Sequence, residues 1–193
     1  MIFSCQVRDK VSIQKESAFD PYQDEIYFNS DNFKSKVEFG NYLVRITGCH
    51  KCHTPKILTP DGYADDLSRA LSGFPQDMKL PEIDRENIEL AGLSVTKDFN
   101  VWFGAWGVSF ASNITSDETG IGNWTEDEFF IALRGGKSKG IITNRSILPP
   151  MSNEMFLEMT DEEISAIYAY LQSTRPVKNL VPEPLPPILN ELY

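Results

Sequence analysis

Both histidines of this chain, and two of its three cysteines, fall inside five consecutive residues, Cys49-His50-Lys51-Cys52-His53. That spacing is the attachment signature of a c-type haem. Two thiols must add to the two vinyl groups on one porphyrin edge, so they sit about one helical turn apart. The next residue then lies beneath the iron and offers an imidazole nitrogen as axial ligand. His53 fills that place; His50, between the cysteines, is expected to point away from the iron. Two other chemistries use similar strings. A structural zinc site needs four ligands, usually two such pairs, and the chain has no further histidine or cysteine pair to supply them. A thioredoxin-like redox pair expects the motif to open a helix after a strand in a βαβ pattern. Here the motif ends a helical stretch.

That stretch follows Ser30 or Asp31, either of which can cap a helix. Phe33, Val37, Gly40 and Val44 recur on one helical face, widened by Phe39, Leu43 and Ile46. Near the other end, Thr160-Asp161-Glu162-Glu163 is a capping box. Ile164, Ile167, Tyr168 and Leu171 follow at helical spacing, and the helix is expected to end near Ser173, before Arg175-Pro176. Gly40 offers a place where this last helix crosses the first at close range. A second capping box, Thr125-Glu126-Asp127-Glu128, starts a third helix that buries Phe129, Ala132 and Leu133 and stops at Gly135. A short helix is expected over 64–72, with Leu67 and Leu71 inward.

These residues carry a resemblance to the class I cytochromes c. The match extends to Gly40-Asn41-Tyr42-Leu43-Val44, Trp106-Gly107-Val108-Ser109-Phe110-Ala111, Asn113-Ile114-Thr115, Thr119-Gly120-Ile121-Gly122-Asn123-Trp124 and Leu148-Pro149-Pro150-Met151. Together they resemble bacterial electron-carrier cytochromes of the alcohol-dehydrogenase cytochrome-subunit kind, over roughly residues 31–182. The resemblance implies an all-α fold and a single covalent haem c in a cytochrome domain over 31–175. One departure stands out. About a hundred residues separate His53 from Met151, so 56–112 forms a long insertion, within which Val95–Val101 and Val108–Ala111 are expected to pair as a short hairpin. A second haem motif, present in many relatives of this kind, is lacking in this chain.

With no free histidine other than His50, a six-coordinate iron must take a methionine or leave the site open. Of Met1, Met78, Met151, Met155 and Met159, Met151 is favoured. It follows the stiff Pro149-Pro150 and precedes the last helix, where the family places its ligand. Met155 and Met159 read as plastic core filler. Trp102, Phe103, Trp106, Phe110 and Trp124 make an aromatic-rich stretch, either plain core or haem wall. Trp106 and Trp124 are expected to touch haem, with an indole N–H for a propionate. Arg145 is a candidate charge partner for a propionate, and Asn113 and Thr115 are weaker candidates of the same type. Metal-bound histidines use their second nitrogen as a donor; in this family the acceptor is commonly a carbonyl near a proline, which points to Pro60.

His/Met ligation suits a carrier of single electrons rather than an enzyme, since no open site is left for substrate. The expected function is electron shuttling between redox partner proteins. The alternatives are a fixed haem subunit or domain of a dehydrogenase or oxidase complex, or an open-site haem sensor. A net charge of −10 argues against nucleic acid as a partner. No run of 18 apolar residues occurs. The resemblance implies the periplasm, and Ile2-Phe3-Ser4-Cys5 resembles the end of a lipoprotein signal, with Cys5 lipidated at the membrane. Residues 1–30 are then a polar tether. Residues 176–193, with five prolines, read as an extended strap whose Val181, Leu185, Ile188 and Leu189 lie against the domain or a partner.

Overall fold

A computed structural model describes residues 32–188. The expected tether over 1–30, Cys5 and Leu189 therefore lie outside the described residues.

Helix α1 (Lys36–Ile46) starts later than expected, because Ser35 rather than Ser30 or Asp31 supplies the cap: its Oγ accepts the Glu38 N–H at 3.1 Å. Phe33 precedes the helix and packs its ring on Phe39 and Tyr42. The buried stripe is Phe39, Gly40, Leu43 and Val44; Val37 and Ile46, counted on the same face, are exposed. The last long helix, α6 (Asp161–Gln172), opens on the expected box. Thr160 Oγ1 accepts the Glu163 N–H at 3.2 Å, and Glu163 Oε2 accepts the Thr160 N–H at 2.8 Å. Helix α4 (Glu126–Leu133) opens the same way on Thr125 and Glu128.

Helices α1 and α6 cross at Gly40. A Cβ built there would lie 1.9 Å from the Ala166 carbonyl oxygen and 2.7 Å from Tyr170 Cβ, so only glycine lets the backbones meet. Around the crossing, Leu43, Val44, Phe129, Ile164 and Leu171 form the main core, joined by Leu71 and by Phe156 of the one-turn helix α5 (Glu154–Leu157).

The described residues also hold two small antiparallel sheets, both inside 56–112, which an all-α description omits. Strands β1 (Lys56–Thr59) and β2 (Gly62–Asp65) make a hairpin with Lys56 opposite Asp65. The expected helix over 64–72 is absent. Ala64 and Asp65 are used in β2, and the Asp66 carboxylate then caps a single 3-10 turn, Leu67–Arg69, by accepting from Ser68 N and Arg69 Nε. Leu67 is accordingly 77% exposed and Leu71 only 1%.

Helix α3 (Arg85–Ala91) leads to the second sheet, β3 (Ser94–Val95), β4 (Val101–Gly104) and β5 (Gly107–Phe110), in that order. The hairpin expected between 95–101 and 108–111 is displaced. Val101 pairs with Phe110 and Phe103 with Val108, while Val95 belongs to a third strand opposite Trp102. Residues 96–100 turn instead: Phe99 has φ +58°, and its N–H reaches the Thr96 carbonyl. Phe74, Val101, Phe103 and Val108 form a second, smaller core.

The proline-rich strap lies on that sheet. Leu185 exchanges both backbone hydrogen bonds with Val108, at 2.9 and 3.0 Å. Buried Asn179 accepts from Gln76 N at 2.8 Å and donates to the carbonyls of Ser72 and Phe74. Further along, Ile188 N–H donates to Glu89, a buried carboxylate paired with Arg85. Asn179→Ala is expected to cost about 2–4 kcal/mol, because it strands the Ser72 and Phe74 carbonyls away from water. Urea unfolding measures the loss, and limited proteolysis should cut sooner within 177–188. Among the described residues no helix is long and apolar enough to cross a membrane.

Candidate haem site

Gly48, at φ +74°, breaks α1 and re-aims the chain into a one-turn helix α2 (Cys49–His53). Cys49, Cys52 and His53 sit at i, i+3 and i+4 and so share one face. His50 is off that face, with its Nδ1 2.9 Å from Thr54 Oγ1. Both thiols are free and half-buried. Burial pushes each above the usual thiol pKa, so both are protonated near neutral pH.

The His53 Nδ1 lies 2.7 Å from the Ser112 carbonyl oxygen. A carbonyl cannot donate, so Nδ1 carries the hydrogen and Nε2 presents a lone pair. Burial holds His53 below its ordinary pKa, partly opposed by the Ser112 bond, which keeps the imidazole in its neutral, metal-binding form. The acceptor is not the expected Pro60, which is exposed in the β1–β2 turn. The end of the insertion takes that role. Gly73, at φ +77°, allows it: a Cβ there would lie 2.3 Å from the Ala111 carbonyl and 2.5 Å from the Ser112 carbonyl carbon. Gly73 N–H donates to the His53 carbonyl, and Phe74 N–H to Ala111. Nothing in the sequence marks Ser112, because it acts through its main chain.

Met151 is half-buried and packs on the main core, as does Cys49, about a hundred residues away in sequence. Met159 packs on the same core. Met155, read as core filler, is instead 46% exposed, and Met78 is 40% exposed. The Met151 loop is tied on one side by Asn153, whose Nδ2 donates to the Arg134 carbonyl at 2.8 Å. On the other, Ser109 Oγ donates to the Pro149 carbonyl at 2.5 Å.

The remaining candidates make the following contacts. Trp106 spends its indole N–H on Ser109 Oγ at 3.2 Å, so that donor is not free for a propionate. Trp124 packs on the main core, and its carbonyl accepts from Tyr168. Arg145 is exposed and donates to the neighbouring Ser146 carbonyl. Asn113 is buried with its amide committed: Nδ2 donates to Thr119 Oγ1 and the Val177 carbonyl, and Oδ1 accepts from Thr115. Asn113 and Thr115 thus build the strap anchor.

Two free thiols and an imidazole with an oriented, unprotonated nitrogen on one helical face fit a covalently held haem. A methionine, Met151, borders the same core as Cys49. No family model matches the chain. The chain is similar to cytochrome c subunits of quinone alcohol dehydrogenases. Over 143 residues, 73% of its length, it is 37% identical to the alcohol dehydrogenase (quinone) cytochrome c subunit of Gluconacetobacter polyoxogenes. The same subunit of Gluconobacter oxydans is 28% identical over 149 residues, 76% of the chain. A nicotinate dehydrogenase subunit of Pseudomonas putida is 37% identical over 78 residues, 40% of the chain and 6% of that protein. The chain spans about a fifth of the length of the alcohol dehydrogenase subunits, 22% and 23%.

Proposed function

We propose that this chain is a haem c subunit or domain of a dehydrogenase complex, with a class I cytochrome c fold, and that it passes single electrons from a catalytic partner. The observation that carries the reading is His53: Nδ1 is held by Ser112, which leaves Nε2 as the unprotonated nitrogen, and two free thiols share its helical face. Cys49 and Cys52 would hold the porphyrin edge as thioethers, each S–H adding across a vinyl group. His53 Nε2 and the Met151 thioether would hold the iron. When bound, the haem supplies one-electron chemistry at iron. Ser112 keeps the His53 ring from rotating, and the core around Cys49 and Met151 excludes water from that side.

A fixed subunit is favoured over a freely diffusing shuttle by the named roles of the relatives, which are subunits of larger enzymes. The same reading puts the domain in the periplasm, with Cys5 as a lipid anchor. Two measurements test it. Protein matured by a c-haem attachment system should stain for haem on a denaturing gel, and the Cys49→Ser, Cys52→Ser double variant should not. Native purification should bring down a dehydrogenase subunit whose substrate reduces the haem. An unstained wild-type band rejects the haem reading; a stained monomer reduced by no co-purified enzyme returns the shuttle.

A further inference from the structure

We propose that Ser109 is a positioning residue for the Met151 thioether, with Trp106 orienting its hydroxyl. The inference rests on the reading of Met151 as axial ligand. Met151 packs on the main core, but Pro149 and Pro150 before it are both exposed, so their approach is fixed by hydrogen bonds rather than by burial. The Pro149 carbonyl accepts from Ser109 Oγ across 40 residues of sequence, and two residues earlier Ile147 N–H donates to the Gly136 carbonyl. The Pro150 ring fixes one of the few backbone torsions between the Pro149 carbonyl and Met151, so the anchor's effect reaches the ligand with little slack. Asn153 ties the other side of the same loop to Arg134.

The anchor point is rigid. Ser109 is buried in β5, whose Val108 lies in register with Phe103 of β4 and exchanges both backbone hydrogen bonds with Leu185 of the strap. A serine hydroxyl has one hydrogen and can rotate. The Trp106 N–H, 3.2 Å away, occupies its lone-pair side, so the hydroxyl hydrogen is left to the Pro149 carbonyl. Trp106 is itself held over Gly104, where a Cβ would lie 2.4 Å from the indole ring. The segment 109–112 therefore touches both residues that would hold the iron: Ser112 orients His53, and Ser109, three residues earlier, steadies the approach to Met151.

A thioether binds ferric iron weakly and is displaced by added imidazole, so imidazole affinity reads how firmly Met151 is held. In the ferric holoprotein, Ser109→Ala should bind imidazole about tenfold more tightly, and Trp106→Phe about threefold, as expected for one lost or misdirected hydrogen bond. Ser109→Thr, which keeps the hydroxyl, should restore the wild-type affinity. Val101→Ala, which opens a cavity in the same sheet, should lower the melting temperature without changing the affinity. Met151→Ala sets the limit of tight binding. If Met151→Ala binds more tightly than wild type but Ser109→Ala does not, the positioning role is overturned and the ligand assignment stands. Should Met151→Ala itself match wild type, the ligand assignment falls and this inference with it.

Discussion

Met151→Ala is expected to open the sixth position of the holoprotein. The ferrous form should bind carbon monoxide, the weak near-infrared band of methionine-ligated ferric haem should vanish, and the potential should fall by on the order of 0.1 V or more. The site itself predicts which other methionines do not matter. Met155 is exposed, so Met155→Ala should leave spectrum, potential and stability as they were. Met159 packs on the main core, so Met159→Ala should cost about 2 kcal/mol or more of stability while the spectrum is kept. A redox titration with optical detection, run beside urea unfolding, separates the three. A six-coordinate Met151→Ala protein with wild-type potential would remove Met151 from the iron.

A large loss of stability is expected from Gly40→Ala. In an isolated helix this change would be favourable by about 1 kcal/mol. Here the added methyl would sit 1.9 Å from the Ala166 carbonyl oxygen. The obstacle is main chain, so no rotamer change relieves it, and α1 must move away from α6 along their shared face. Overpacking of this kind typically costs about 1–3 kcal/mol and more where backbone must shift, a large part of a stability of about 5–15 kcal/mol. We expect a net loss of about 3 kcal/mol by urea unfolding. Gly62→Ala is the comparison: that position has positive φ but open space beyond it, so only the backbone term of about 1 kcal/mol applies. Equal losses for the two variants would mean that the close crossing contributes nothing.

The parts of this protein legible in the sequence are those whose physics is local. Each capping box needs residues three apart and nothing else, and Thr125 with Glu128 and Thr160 with Glu163 form both boxes. The haem string is local as well: its cysteines and His53 share a face because of helical geometry alone. Gly40 was legible because a glycine in the buried stripe of a helix has few uses other than close approach.

What the tertiary structure decided are the pairings between distant segments, and they run against local pattern at definite places. Leu67 has the spacing of an inward helical residue, yet β1 takes the backbone at Ala64 and Asp65, and the helix cannot start. Val95 and Val101 look like one strand but fall into two, because Thr96 to Asn100 close a turn that β4 and β5 then build upon. The indole of Trp106 and the amide of Asn113 have the chemistry to meet a propionate, but Ser109, Thr119 and Val177 reach them first. The His53 acceptor was beyond any sequence reading, since a carbonyl is the same on every residue. The chain by itself thus specified the shared face of Cys49, Cys52 and His53 and the long helices around it. The folded insertion decided which groups steady those side chains, because such hydrogen bonds depend on where the backbone passes, not on which residue it bears.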